Sequence, residues 1–163
     1  MEKLDKIVKM LKEKNKYVST MESCTGGGLV NAITNIPGAS EILKFSAVTY
    51  SNEFKIKMGV PKETIDTYSV YSMETAIDMS KKISEFTNSN YGIGITGKLN
   101  RADINNLAGD DNMVYFSIYN KDTNTNYNDS IRVSKSSREE NKDEVVVLEK
   151  IEKSKSSSGV SEV

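Results

Sequence analysis

Apolar and polar positions along the chain follow two periods. Leu4, Ile7, Val8 and Leu11 recur at helical spacing with Lys and Glu between them, which predicts an amphipathic first helix of about 12 residues. Tyr17–Met21 is short and β-branched and reads as a strand, ending at the run Glu22-Ser23-Cys24-Thr25-Gly26-Gly27-Gly28. Leu29–Ile33 then reads as the body of a helix, and Pro37-Gly38 as a loop. Phe45–Tyr50 is a second strand. Ser51 is placed to cap a short helix through Lys55 and Met58, closed by Gly59. Pro61 opens another helix over Lys62–Tyr68. Ser72 caps a longer one, with Met73, Ala76, Ile77, Ser80, Ile83 and Phe86 on one face. Tyr91–Thr96 is a third strand, whose Gly92 and Gly94 weaken it but permit close backbone approach.

Residues 97–112 break this regularity: they form a long polar connection, and connections of that length inside a compact domain are usually functional or disordered. Met113–Tyr119 and Tyr127–Val133 read as a hairpin around Asn120–Asn124. Ser137-Arg138-Glu139-Glu140 matches a capping box and opens a last helix with Val145, Leu148 and Ile151 on one face. Residues 154–163 are Ser-rich and are expected to be disordered, leaving residues 1–153 as a single domain. Early alternation of helices and strands with a late hairpin predicts an α/β fold, a three-layer α/β/α sandwich with a mixed sheet.

Composition narrows the chemistry. The 163 residues carry 22 Lys and Arg against 23 Asp and Glu, a net charge of −1, with a pI near 5.7. That balance is not the footprint of a nucleic-acid binder, so no nucleic-acid partner is expected. The absence of His removes Ser-His-Asp and Cys-His catalysis and His-ligated zinc. The lone Cys24 excludes an internal disulfide and a multi-Cys metal site. Met1–Asp5 lacks the apolar core of a signal peptide, and no apolar run approaches the ~20 residues of a membrane span. The expectation is a cytoplasmic protein with no membrane partner.

The strand–turn–helix at Glu22–Gly28 is the junction where α/β proteins place their sites. Amides at the following helix start can bind a phosphate or an oxyanion, and Thr25, Gly26 and Gly27 are the candidate substrate contacts. Two nucleophiles stand side by side, Ser23 and Cys24; the competing reading is a plain glycine-rich turn around a buried Cys. A serine needs a base, and without His the candidates are Lys, Tyr, Asp and Glu. Tyr50–Lys55 sits at the end of the second strand and faces Ser23 if the two strands are neighbours. Lys55 can act as a base if desolvation brings its pKa toward neutrality; otherwise it is one more surface lysine. Lys57 points to a different helix face.

Glu22–Gly27 followed by Val48-Thr49-Tyr50-Ser51-Asn52-Glu53-Phe54-Lys55 resembles the CinA C-terminal domain family, which includes the nicotinamide mononucleotide deamidases. The similarity continues through Gly59-Val60-Pro61, Val70-Tyr71-Ser72, Gly92–Gly97 and, more loosely, Arg138. It covers roughly residues 3–153 and is to the stand-alone form, without the N-terminal domain of the two-domain CinA proteins. The resemblance implies hydrolysis of a carboxamide, nicotinamide mononucleotide and water giving nicotinate mononucleotide and ammonia, with no metal or cofactor. It puts Ser23 at the nucleophile position and Lys55 at the base position, with Tyr50 near this dyad. Thr96 then lines the pocket, and Arg138 lies where a guanidinium binds phosphate. It also favours Ser23 over Cys24 and is compatible with a homodimer; it fits the reading of the residues, in which the backbone amides of the Gly26–Gly27 turn are the candidate oxyanion donors.

The chain departs from the family in two places. Many relatives carry Ile-Ala-Gly-Pro after the third strand, where this sequence has Lys98-Leu99-Asn100-Arg101. Lys98 and Arg101 suit either another phosphate contact or solvated surface charges, and the surface reading is preferred. Many relatives also have a second arginine four residues after the first, where this chain has Lys142, which keeps the charge but loses the bidentate fork. Asp110-Asp111 alone is a solvated loop rather than a metal site. Three functions fit: a deamidase of a pyridine mononucleotide, the same dyad on another small amide, or a non-catalytic nucleotide-binding or interaction protein.

Overall fold

A computed structural model describes residues 2–99 and 112–133. Helix α1 (Glu2–Glu13) leads into strand β1 (Val18–Glu22), helix α2 (Gly28–Thr34), a single 3-10 turn (Ala39–Glu41) and β2 (Leu43–Val48). Three helices follow, α3 (Asn52–Lys57), α4 (Lys62–Tyr68) and α5 (Met73–Thr87), before β3 (Tyr91–Gly97), β4 (Met113–Asn120) and β5 (Thr125–Arg132). The expected last helix, Arg138, Lys142, residues 100–111 and the tail lie outside the described residues.

The strands form one mixed sheet in the order β2-β1-β3-β4-β5. β1 runs parallel to both β2 and β3, and the β3-β4-β5 meander is antiparallel. The carboxyl ends of β1, β2 and β3 therefore share one edge, which is where open α/β sheets bind ligands.

Apolar clusters cover both faces. Leu4, Ile7, Val8 and Leu11 of α1 pack with Leu29 and Ile33 of α2 against Val18, Ile93, Ile95 and Phe116. On the other face Met21 meets Val60, Ile65, Val70, Met79 and Ile83 from the α3–α5 segment. Burying each such aliphatic contributes roughly 1.5–3 kcal/mol, enough for packing rather than helix propensity to hold these short helices. Among the described residues no helix is long and apolar enough to cross a membrane.

Local signals read from the sequence hold at the caps. Ser51 Oγ accepts from the Phe54 amide and Ser72 Oγ from the Thr75 amide. The face of α5 is rotated from the expected one. Met79 and Ser84 are buried, whereas Phe86 is 66% exposed and reaches the ring of Phe45 on the edge strand, 5.7 Å between centroids.

Gly92 and Gly94 are what let α5 lie against β3. A Cβ on Gly94 would fall 2.4 Å from the Ala76 carbonyl oxygen and 2.6 Å from the Ser80 amide nitrogen, both helix backbone. Neither atom can move without the helix. Gly94→Ala is expected to cost about 2–3 kcal/mol, the upper range for overpacking, read as a lower denaturant midpoint with unchanged slope. A wild-type midpoint would mean that α5 can lift off the sheet at little cost.

Candidate active site

β1 ends at Glu22, and the next five residues make the turn into α2. Gly26 and Gly27 take left-handed φ values of 62° and 97°, which suit glycine. The Gly26 amide donates to the Ser23 carbonyl (3.0 Å) and the Gly28 amide to the Thr25 carbonyl (3.1 Å), closing two successive tight turns. Side chains alternate across the strand end, so Glu22 and Ser23 depart from opposite faces of the sheet.

Glu22 is fully buried beneath the turn. Its Oε1 accepts from Thr25 Oγ1 (2.6 Å) and from the Leu29 amide (3.0 Å), and its Oε2 from the Val30 amide (2.9 Å). The N-cap residue of α2, Gly27, has no side chain to offer, so a carboxylate from the preceding strand does the capping instead. This corrects two expectations. The first amides of α2 and the Gly26 amide are engaged internally rather than aimed at a ligand, and the Thr25 hydroxyl is spent on Glu22.

Ser23 faces the other way, toward α3. Lys55 Nζ donates to Ser23 Oγ at 3.0 Å and to the Thr49 carbonyl at 2.6 Å. Lys55 is 1% exposed and Ser23 7%. The pairing arises because β2 is the neighbour of β1. The Thr49 amide donates to the Glu22 carbonyl (2.8 Å), carrying the ladder one residue past Glu22↔Val48. The Ser51 cap then starts α3 so that its fourth residue, Lys55, turns inward. Lys57 points out to solvent and pairs with Glu53 at 3.0 Å, as expected from its spacing.

The structure thus brings Ser23 and Lys55 together. Tyr50, one residue beyond Thr49, is 62% exposed on the surface above. Thr96, at the carboxyl end of β3, is fully buried and donates to the Val70 carbonyl (2.9 Å), tying β3 to the segment that leads into α5. Cys24 is buried in the α1/α2 cluster. Lys98 departs from the surface reading: it is 3% exposed, with Nζ 5.0 Å over the ring of Tyr71. Among the described residues no cluster of His, Cys, Asp or Glu could hold a metal ion.

Sequence reasoning missed Glu22 as the organiser of the turn. Its signal was a carboxylate at a strand end followed at three residues by a hydroxyl and then by a helix start without a capping side chain. It also missed Thr49, whose carbonyl accepts from Lys55 Nζ.

The sequence matches the CinA C-terminal domain family over residues 1–151. It is 47% identical over 89 residues to a competence-damage inducible protein from Clostridium acetobutylicum, covering 54% of this chain and 22% of that protein. It is 44% identical over 90 residues to a CinA-like protein from Endomicrobium trichonymphae, covering 55% and 21%. The chain therefore spans about a fifth of the length of these curated relatives. Its fold is similar to that of a competence-damaged protein (CinA) superfamily protein from Klebsiella pneumoniae, with a TM-score of 0.87, 20% identity and 97% of each chain covered. A competence/damage inducible protein from Agrobacterium tumefaciens gives a TM-score of 0.75 at 24% identity, over 88% of this chain and 89% of that one. At such identities the solved structures speak for the fold, while the sequence match runs through the Ser23 turn, the Lys55 helix and β3. On that match the chain belongs to the CinA C-terminal domain family.

Proposed function

We propose that this protein is an amidohydrolase that converts nicotinamide mononucleotide and water to nicotinate mononucleotide and ammonia through a Ser23–Lys55 dyad. The observation that carries the reading is the buried 3.0 Å contact between Lys55 Nζ and Ser23 Oγ. With the amine neutral, that contact reverses and the serine hydroxyl donates to nitrogen. The Thr49 carbonyl holds one N–H of the amine and so turns its lone pair toward Ser23. Oγ attacks the carboxamide carbon as its proton passes to Nζ. The tetrahedral intermediate expels ammonia, which takes that proton from the lysine. An ester on Ser23 is left, and water hydrolyses it. One lysine is base and then acid, in a chain with no histidine to take either role. Tyr50, Thr96 and Arg138 keep the roles that the family resemblance gives them: Tyr50 near the dyad, Thr96 lining the pocket, and Arg138 near the substrate, where a guanidinium binds phosphate.

Lys98 favours a second reading, the same dyad acting on a different small amide. It is a buried cation two residues beyond Thr96, at the same carboxyl edge as Ser23. Where many relatives resemble one another with an apolar residue, this chain puts a charge that an anionic substituent would match.

Ammonia release tests both. The expected result is turnover of nicotinamide mononucleotide well above that of free nicotinamide, unaffected by a chelator. Turnover of other amides but not the mononucleotide would favour the second reading. No release from any amide by the folded protein would leave a non-catalytic binding protein.

A further inference from the structure

Four non-glycine residues among those described take a positive φ. Three are Asn at 53° or 54°, the left-handed region that asparagine tolerates. The fourth is Ser69, with φ 79° and ψ 154°. That region is essentially reserved for glycine, and another residue stays there only where its surroundings over-determine it. Ser69 is held in that way. Its amide donates to the Ile65 carbonyl of α4 (2.9 Å). Its carbonyl accepts from Ser72 Oγ and from Thr75 Oγ1, both at 2.8 Å. Its Oγ accepts from the Tyr71 amide (3.1 Å).

Strain fixed from every side directs attention to what it holds in place. Ser69 starts the strip that joins α4 to α5. The next residue, Val70, is buried, and its carbonyl accepts from Thr96 Oγ1 (2.9 Å). The ring of Tyr71 lies 5.0 Å from Lys98 Nζ. Ile95 and Leu99 join the α1/α2 cluster, so Thr96 and Lys98, out of step with them, face the side that Ser23 takes. The two residues after the outlier thus meet two side chains at the carboxyl end of β3, on the face of the dyad.

We infer that Ser69 is a positioning residue: its locked, strained backbone holds the Val70–Tyr71 strip against Thr96 and Lys98 and so sets the substrate side of the site. This rests on the deamidase reading above. The Thr75 hydroxyl is one of the two locks on the Ser69 carbonyl. Without it the strain has an outlet: residue 69 turns to an ordinary extended conformation and takes Val70 and Tyr71 with it. With glycine at position 69 there is no strain to release, and the strip stays.

Two comparisons test this. The first sets the thermal midpoint of Ser69→Gly against that of Ser69→Ala. Both lose the bond from the Tyr71 amide, but only glycine is at ease at this φ and ψ. Ser69→Gly is expected to melt roughly 2–8 °C above Ser69→Ala, although glycine is the less stable of the two at ordinary backbone angles. The reverse order overturns the inference, whatever the substrate. The second comparison sets Thr75→Val against the double variant Thr75→Val with Ser69→Gly. Thr75→Val is expected to raise KM for nicotinamide mononucleotide on the order of tenfold, with kcat little changed. It should also abolish the ring-current shift that Tyr71 imposes on the Lys98 methylene signals in NMR spectra. Adding Ser69→Gly should restore both most of the way. A Thr75 that only caps α5 would leave KM alone, and a glycine that only loosens the chain would make the double variant worse. An unchanged KM in Thr75→Val, or a double variant no better than the single one, overturns the assignment. If wild type releases no ammonia, the deamidase reading fails, and the Lys98 signals with the order of the two midpoints decide for or against Ser69.

Discussion

Ser23→Ala and Lys55→Arg are each expected to remove amide turnover, by at least about 10³-fold, while the protein stays folded. The reasons differ. Ser23→Ala deletes the proposed nucleophile and loses one buried hydrogen bond worth about 1 kcal/mol, so its thermal midpoint should move little. Lys55→Arg keeps the charge but cannot give it up at neutral pH, so the serine has no base and the departing ammonia no acid. A guanidinium is also larger than the buried amine it replaces, which makes Lys55→Met the necessary companion: similar length, no charge and no base. Both lysine variants should be inactive. If arginine were dead and methionine active, the amine would be a packing element. Cys24→Ser supplies the contrast, because Cys24 packs in the α1/α2 cluster. It should keep a substantial rate. A dead Cys24→Ser beside a working Ser23→Ala would exchange the two roles. Initial ammonia rates with thermal midpoints for all four proteins decide the question.

Much of this arrangement is legible in the sequence because it is local. Ser51 and Ser72 precede helices by the spacing that a side-chain cap needs, and both cap. Gly92 and Gly94 of β3 imply a close neighbour, and α5 is that neighbour. The dyad is legible only conditionally. Ser23 and Lys55 are 32 residues apart, and they meet because β2 lies beside β1, a fact of sheet order that no local pattern encodes. Where the reading went astray, a nonlocal partner decided. Phe86 fits a helical stripe, yet the edge-strand ring of Phe45 draws it away from the core. Lys98 has the look of a surface charge, and the ring of Tyr71 accepts it beneath the surface. Glu22 is acidic at the end of a strand, where solvent is the usual destination; its burial needs three donors that become neighbours only once the turn has closed.

Glu22→Ala is expected to have the largest effect on stability of any single change at the site. The carboxylate satisfies one hydroxyl and two amides, all from a turn and helix with no other cap. Hydrogen bonds to a charged group contribute roughly 1.5–3 kcal/mol each, but the turn can relax toward solvent and recover part of that. A net loss of about 3–5 kcal/mol is reasonable, against a total of about 5–15 kcal/mol for a domain. At roughly 2–4 °C per kcal/mol, the thermal midpoint should fall by at least about 6 °C. Glu22→Gln separates charge from shape. It fits the same space, but its NH₂ must face one of the amides that the carboxylate accepted from, so one donor meets another. Its stability should lie between the other two. The readout that a purely structural residue would not give is kinetic. Glu22 touches neither substrate nor Lys55 in this account; it sets where Ser23 stands. Glu22→Gln should therefore lower kcat while KM changes little, measured at a temperature where it is fully folded. A folded Glu22→Gln with wild-type kcat would show that Ser23 is held by β1 and Lys55 alone, and that the carboxylate serves the helix and not the nucleophile.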